Sequence, residues 1–470
     1  MFYRASLAAL TGVLLHLASQ WAFGSPLLTD RIAEWIMART PHASALWILE
    51  TFGAWAKPFA ATGGLATLGA ILWAASWLKS PLRQGMICAL GYFSLCRLLG
   101  DSLWVASLSF WLPALAVLLA LGRETRSSQG GMLPRRRSFL VSACLSLGTG
   151  VVALECYLRN EAFSRKAREP VPLDPFTPPR EQGKFAPPIV RPAVTPVREF
   201  YGMSKNAVDP LIDPARWRLR VTLDGKPWRE YRYAELLSLP RTQRYATLRC
   251  ISNTLRSNLM GNALWSGVFF SQIIDRRELP ADVVEVAILG ADSHGDSFPL
   301  DYIFSTHALL ALGMNGKTLE RKHGFPLRLV APRYFGFKNV KWIEEIRFVK
   351  TPYYGTWPRM GYTKEALVHT FSYIDRILPA QEGFLVGGIA LAGDRGIQRV
   401  QIRADQGAWF DAELEPPLSP YAWTRWRGVI PVKSATTIEA RAQDGLGNWQ
   451  ATEESPLFPS GVSGPTIRRI

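Results

Sequence analysis

At 470 residues the chain is too long for one compact domain and suits roughly three units of about 150 residues each. Its 54 Lys and Arg outnumber 38 Asp and Glu to give a net charge of +16, yet no basic helix and no zinc-finger spacing accompanies the excess, which excludes nucleic acid as a partner. Mean hydropathy is near zero at +0.03 because an apolar first third is averaged with a polar remainder.

The uncharged runs are 5–23, 59–78, 84–96, 102–122 and 138–154, and a bilayer takes about 20 apolar residues to cross. They predict an all-α transmembrane bundle of about five helices over 1–158, with the short third run completed by Arg97 snorkelling to the interface. Residues 30–57 mix Trp35, Ile36 and Trp47 with Arg31, Glu34 and Arg39, the pattern of helices lying at a membrane surface. Arg4, Lys79, Arg83, Arg123, Arg126 and residues 135–137 fall on one side of five crossings, so the amino terminus is expected inside and everything after 158 outside. The expectation is a multi-pass protein of a bacterial inner membrane, with the lipid bilayer as a partner and the remaining chain on the periplasmic side. Arg136-Arg137-Ser138-Phe139-Leu140 is similar to a twin-arginine export signal, although positive-inside flanking also explains the arginines.

Nine prolines between Pro170 and Pro196 rule out helix and central strand, so 159–199 is expected to be an extended linker or arm. Beyond it, 217–223 alternates like a strand, Asp224-Gly225 supplies a turn, and 231–237 reads as a short helix. Further strand-like runs at 245–249, 283–289, 326–330 and 343–349, with a helical 271–275, predict an α+β domain over 200–365. From 366 to 470 the short alternating segments 384–391, 399–403, 409–414 and 437–442, divided by Gly-containing turns, predict an immunoglobulin-like β-sandwich. The whole is thus read as multidomain.

Four of the five cysteines fall in or beside the apolar runs, which leaves Cys250 alone in the soluble part. A lone thiol there makes no intrachain disulfide, and its ordinary role would be that of a small buried hydrophobe. Its place at the end of a predicted strand, backed by Asn253, suits a soft ligand for a sulfur-seeking metal. Zinc is disfavoured, since no second cysteine or paired histidines stand at ligand spacing.

Five blocks in order carry a resemblance: Leu248-Arg249-Cys250-Ile251-Ser252-Asn253, Gly261-Asn262-Ala263-Leu264-Trp265-Ser266-Gly267, Met314-Asn315-Gly316, His323-Gly324-Phe325-Pro326-Leu327-Arg328 and Asn339-Val340-Lys341-Trp342. Residues 200–365 resemble the molybdopterin-dependent oxidoreductases of the sulfite oxidase family, and Gly393-Asp394-Arg395-Gly396-Ile397 with the strands after it resembles that family's dimerisation domain. The resemblance implies a molybdenum–molybdopterin cofactor with Cys250 as metal ligand. It implies pterin contacts from Asn253, Asp292, His323, Arg328, Asn339, Val340 and Lys341, and Tyr362 beside the reacting group. Each also has a plain reading, His323 as a strand cap, Arg328 as a surface ion pair, and Asn253 as loop scaffolding.

Sulfite oxidases gather arginines around the metal for a dianionic substrate. Here the first of these positions reads Thr254-Leu255-Arg256, one residue out of step, and an earlier loop reads Gly202-Met203-Ser204-Lys205-Asn206. Arg256 is the candidate substitute, and sulfite is a doubtful substrate on this reading. The resemblance implies an oxygen-atom transfer on a small external molecule, a sulfite dehydrogenase-like activity. It also implies a homodimer through 366–470 and an external electron carrier, a cytochrome or quinone-linked protein, since no Cys-x-x-Cys-His haem motif occurs. Methionine-sulfoxide reduction, a non-catalytic scaffold and a transporter remain as rival readings.

Overall fold

The computed structural model describes residues 170–181, 183–205 and 209–470. Residues 169–205 and 212–470 form one compact unit, to which the following description applies. Its proline-rich arm is extended, with a 3-10 turn at Gly183–Phe185, because proline has no N–H to give to a helix or an inner strand. Ion pairs fasten it down. Asp174 meets Arg241 at 3.0 Å and Ser266, Glu181 meets Arg425 at 2.5 Å, and Arg191 meets Asp375 at 2.5 Å.

In chain order the next strands are β1 (Arg218–Leu223), β2 (Lys226–Arg232), β3 (Thr242–Arg249), β4 (Met260–Val268), β5 (Glu285–Gly290), β6 (Gly295–Pro299), β7 (Leu309–Met314), β8 (Lys317–Thr318), β9 (Arg328–Val330) and β10 (Ile343–Val349). Helix α1 (Tyr233–Ser238) follows β2 and α2 (Leu300–Ile303) follows β6. Asp224 and Gly225, both at positive φ, close the β1–β2 hairpin as an Asp-Gly pair should. One sheet has the order β2-β1-β10-β5-β6, with β1 and β10 parallel; the other has β3-β4-β7-β8, with β9 on β7.

One core takes Leu219 and Val221 from β1, Val286 and Ile288 from β5, Ile346 and Phe348 from β10, and Leu310 and Leu312 from β7. The opposite face of β7 places Leu309, Ala311 and Met314 in a second core with Phe200, Leu248 and Trp265. The second sheet is therefore buried on both faces. Its strands β4 and β7 carry no polar alternation, so periodicity alone marks neither 260–268 nor 309–314 as a strand.

The last part comprises β11 (Phe371–Ala380), β12 (Gly383–Leu391), β13 (Ile397–Ala404), β14 (Phe410–Asp411), β15 (Glu413–Leu414), β16 (Thr424–Ile430), β17 (Thr437–Asp444) and β18 (Thr466–Arg469). They form two four-stranded sheets, β11-β12-β16-β15 and β14-β13-β17-β18. Inward side chains of both sheets, Val386 and Trp426 from one and Ile402 and Ala440 from the other, share one core. The run 409–414 is two short strands in different sheets rather than one.

Three expectations are corrected. The α+β label for 200–365 gives way to a mostly β fold, since the described residues hold only two short α-helices, of six and four residues, and 271–275 yields only a 3-10 turn at Phe270–Gln272. The all-α bundle of about five helices is not seen, and the apolar runs on which it stood lie outside the described residues. The multi-pass inner-membrane location is likewise not supported, because among the described residues no helix is long and apolar enough to cross a membrane.

Candidate active site

Cys250 leaves the end of β3 and opens a loop that returns at β4. The Cys250 N–H donates to the Leu259 carbonyl (2.9 Å), and Asn253, wholly buried, accepts the Leu259 N–H (2.5 Å) on Oδ1. Asn253 therefore shapes the loop that presents the thiol, which is the plain reading of that residue. The thiol is free and buried. Burial pushes its pKa up, opposed by the Ser252 N–H and hydroxyl, then by the Arg249 charge and the Ile251 N–H, all of which favour a thiolate.

Gly336 backs the loop. A Cβ there would stand 2.5 Å from the Tyr201 hydroxyl, 3.2 Å from the Arg249 carbonyl oxygen and 3.4 Å from the Cys250 Cα, so only glycine lets this turn come so close. Tyr201 and Tyr362 both feel Cys250, and in each phenol burial first and the cysteine second raise the pKa, which keeps both protonated as hydrogen-bond donors. Around Tyr362 stand Phe458 (5.1 Å between ring centres), Trp357 (5.7 Å) and Phe337 (6.4 Å). Behind Cys250 lies Arg249, whose Nη2 donates to the Asn253 and Val462 carbonyls at 3.2 Å each.

A second cluster is basic. Gly324, at φ 103, allows the side chains of Lys341 and Arg328 to converge, since a Cβ there would meet the Lys341 Cβ at 2.9 Å and the Arg328 Cβ at 3.1 Å. Arg328 is buried over the Trp265 ring (4.8 Å) and donates to the His323 carbonyl at 3.0 Å. Its pKa falls to about 10 through burial, the nearby Tyr201 opposing. The His323 ring shares a 3.1 Å hydrogen bond with the Val197 carbonyl, and burial, then the Arg328 charge, lowers its pKa to about 3. Lys341 donates to Ser204 Oγ (3.1 Å) and to the Lys322 carbonyl (2.8 Å). No carboxylate of the described residues bonds to Arg328 or His323.

Asp292 belongs to the same neighbourhood. Its Oδ1 accepts the His294 N–H at 3.0 Å and stands over Gly290, where the Lys341 carbonyl also lies, and the Ala291 N–H reaches the Trp342 carbonyl at 2.9 Å. Asn339 and Val340 are spent on the turn itself: Asn339 Oδ1 accepts the Ala331 N–H (2.6 Å), and the N–H groups of Asn339 and Val340 donate to Gly336 and Lys338. Those two N–H groups are thus taken up within the turn. Arg256 is exposed on the cysteine loop and is not among the groups acting on the thiol. Sequence reasoning overlooked Tyr201, Ser252, Arg249 as an interacting group, and Gly336. Of these, Arg249 and Ser252 stood inside the cysteine block.

The expected cofactor suits this donor set. Once a metal displaces its proton this buried thiol is a soft ligand, and Arg328, buried with no carboxylate of the described residues bonded to it, is a place for the phosphate of an anionic pterin. Arg249 adds two buried nitrogens, Nε and Nη1, without a hydrogen-bond partner.

Comparison with known sequences agrees. The family model described as an oxidoreductase molybdopterin binding domain matches residues 206–357. Sulfite oxidase from Arabidopsis thaliana is 26% identical over 385 residues, covering 66% of this chain and 94% of that protein. Sulfite oxidase from Gallus gallus is 26% identical over 321 residues, 56% of this chain and 70% of that one. Among solved structures, the sulfane dehydrogenase SoxCD from Paracoccus pantotrophus aligns with a TM-score of 0.47 at 23% identity, over 55% of this chain and 74% of that chain.

Proposed function

We propose, for a chain that is a molybdopterin-dependent oxidoreductase of the sulfite oxidase family, that Cys250 is the protein ligand of the molybdenum and that Tyr362 and Tyr201 orient the substrate in front of it. When bound, the cofactor supplies the two-electron oxygen-atom transfer. His323, Arg328 and Lys341, converging at Gly324, would hold the pterin's phosphate end, and Asp292 would accept a hydrogen bond from the ring system. Asn253 keeps the cysteine loop in register. The observation that carries this reading is the buried free thiol with two protonated phenols acting on it and with Arg328 buried over Trp265, bonded to no carboxylate of the described residues.

The substrate follows from what faces the thiol. A dianion such as sulfite needs several converging charged donors, whereas the groups around Tyr362 are rings and Arg256 is exposed on the loop, which leaves Arg249, tied to the Asn253 and Val462 carbonyls, as the charge acting on the thiol. That surround favours a neutral sulfur compound such as a sulfoxide over sulfite. Electrons would pass to an external carrier protein, and the sandwich of 366–470 would serve as the dimerisation-type domain.

The test is metal and pterin analysis of the purified protein with turnover assays on sulfite and on a neutral sulfoxide. About one molybdenum per chain is expected, with Cys250→Ser folded but inactive. Full activity in that variant would sink the ligand assignment, and sulfite turnover far above that of the sulfoxide would sink the substrate reading.

A further inference from the structure

Arg249 is wholly buried, and no carboxylate of the described residues bonds to it. It uses Nη2 alone, on two carbonyls, and leaves Nε and Nη1 without partners. The guanidinium carbon lies 4.0 Å from the centre of the Phe371 ring and 5.5 Å from that of Phe335. A buried cation persists where a buried anion compensates it, and a cation stacked on rings is held in place rather than free to turn away. The acidic group acting on this one is its chain neighbour, the Cys250 thiol.

Three segments, two of them distant in sequence, fix the position of this charge. Asn253 belongs to the cysteine loop, Phe371 to β11 of the sandwich, and Val462 to the segment before β18. An exposed lysine at the same distance would move and be screened by salt; this guanidinium can do neither. The family role of the cysteine as ligand leaves Arg249 without an assigned task, yet its placement is far more constrained than packing alone requires.

We infer that Arg249 is a positioning residue whose fixed buried charge holds up the reduction potential of the molybdenum bound by Cys250. The inference rests on the ligand reading of Cys250. A positive charge beside the thiolate stabilises the more electron-rich, reduced state of the metal, so its removal should favour the oxidised state.

The test is an EPR-monitored redox titration of the full, cofactor-loaded protein, with molybdenum content measured alongside. Arg249→Met keeps an apolar stem on Phe371 without the charge; at least a tenfold shift towards the oxidised metal is expected, a fall of about 59 mV or more for one electron. Arg249→Lys keeps the charge and should stay nearer to wild type than to the methionine variant. A methionine variant with wild-type potential overturns the inference, and so does a lysine variant shifted as far as methionine. Should only the lysine variant load, a potential within about 59 mV of wild type upholds the inference and a larger fall overturns it. If neither loads or folds, Arg249 is a structural residue and the inference fails. Cys250→Ser, titrated in parallel, separates the premise from the inference: an EPR spectrum unchanged by that replacement removes the ligand itself, whatever Arg249 does.

Discussion

Replacing Gly336 by alanine puts a methyl group 2.5 Å from the Tyr201 hydroxyl, 3.2 Å from the Arg249 carbonyl oxygen and 3.4 Å from the Cys250 Cα. Gly336 is not among the residues at positive φ, so alanine meets no backbone strain there. Lowering the entropy of the unfolded chain even favours it by about 0.4–1 kcal/mol. Against this stands overpacking of about 1–3 kcal/mol, because the nearest atom ends a large ring and the next two belong to backbone. The net is a destabilisation of about 1–2 kcal/mol, or a few degrees in Tm for a unit of this size. The functional effect is larger. To regain ordinary contact the Tyr201 hydroxyl must retreat by about 1 Å, and a misplacement of that size costs roughly 100-fold in turnover. The assay is thermal unfolding, molybdenum content and turnover of the same preparation. Turnover within about threefold of wild type, in a variant that loads molybdenum normally, would refute the close packing of Gly336, Tyr201 and Cys250 as a determinant of the site.

His323 supplies a pH dependence: its pKa falls from 6.5 to about 3 on folding, so the unfolded chain takes up a proton that the folded chain refuses, and stability is lost as pH falls below 6.5. The loss is about 2 kcal/mol by pH 5. Urea unfolding of the cofactor-free protein at pH 7 and pH 5 should show it in wild type and much less in His323→Gln; equal slopes would refute it. The wholly buried Lys338–Asp296 pair (2.6 Å) predicts a loss of roughly 3–5 kcal/mol for Lys338→Met, which strands Asp296, whose Oδ2 already has no partner. The double variant Lys338→Met, Asp296→Asn should recover much of that loss, and a double variant no more stable than the single one would show that the charge is not the cause.

Some of this was legible along the chain. The proline spacing made 170–196 extended, the alternation in 217–223 and 343–349 marked β1 and β10, and Asp224-Gly225 marked the turn from β1 into β2, because each is a local effect of φ restriction or of period-two burial. Cys250 stood out as the lone thiol at a strand end, with the ordered blocks around it. Only the tertiary structure decided the rest. Strands β4 and β7 lost their periodicity because both faces are buried, so nothing in their residues separates them from an apolar helix or loop. Tyr201 and Gly336 are separated by more than 130 residues in sequence yet meet at Cys250, and no local pattern encodes that. Arg249 gave no signal of its own, since a charged residue at a strand end reads as a solvated one until β11 and the segment at Val462 close over it. Asn339, Val340 and Arg256 went the other way: their types suited phosphate or substrate, but the fold spends the first two on their own turn and leaves the third exposed, because a residue's chemistry is local while its direction is set by everything packed around it.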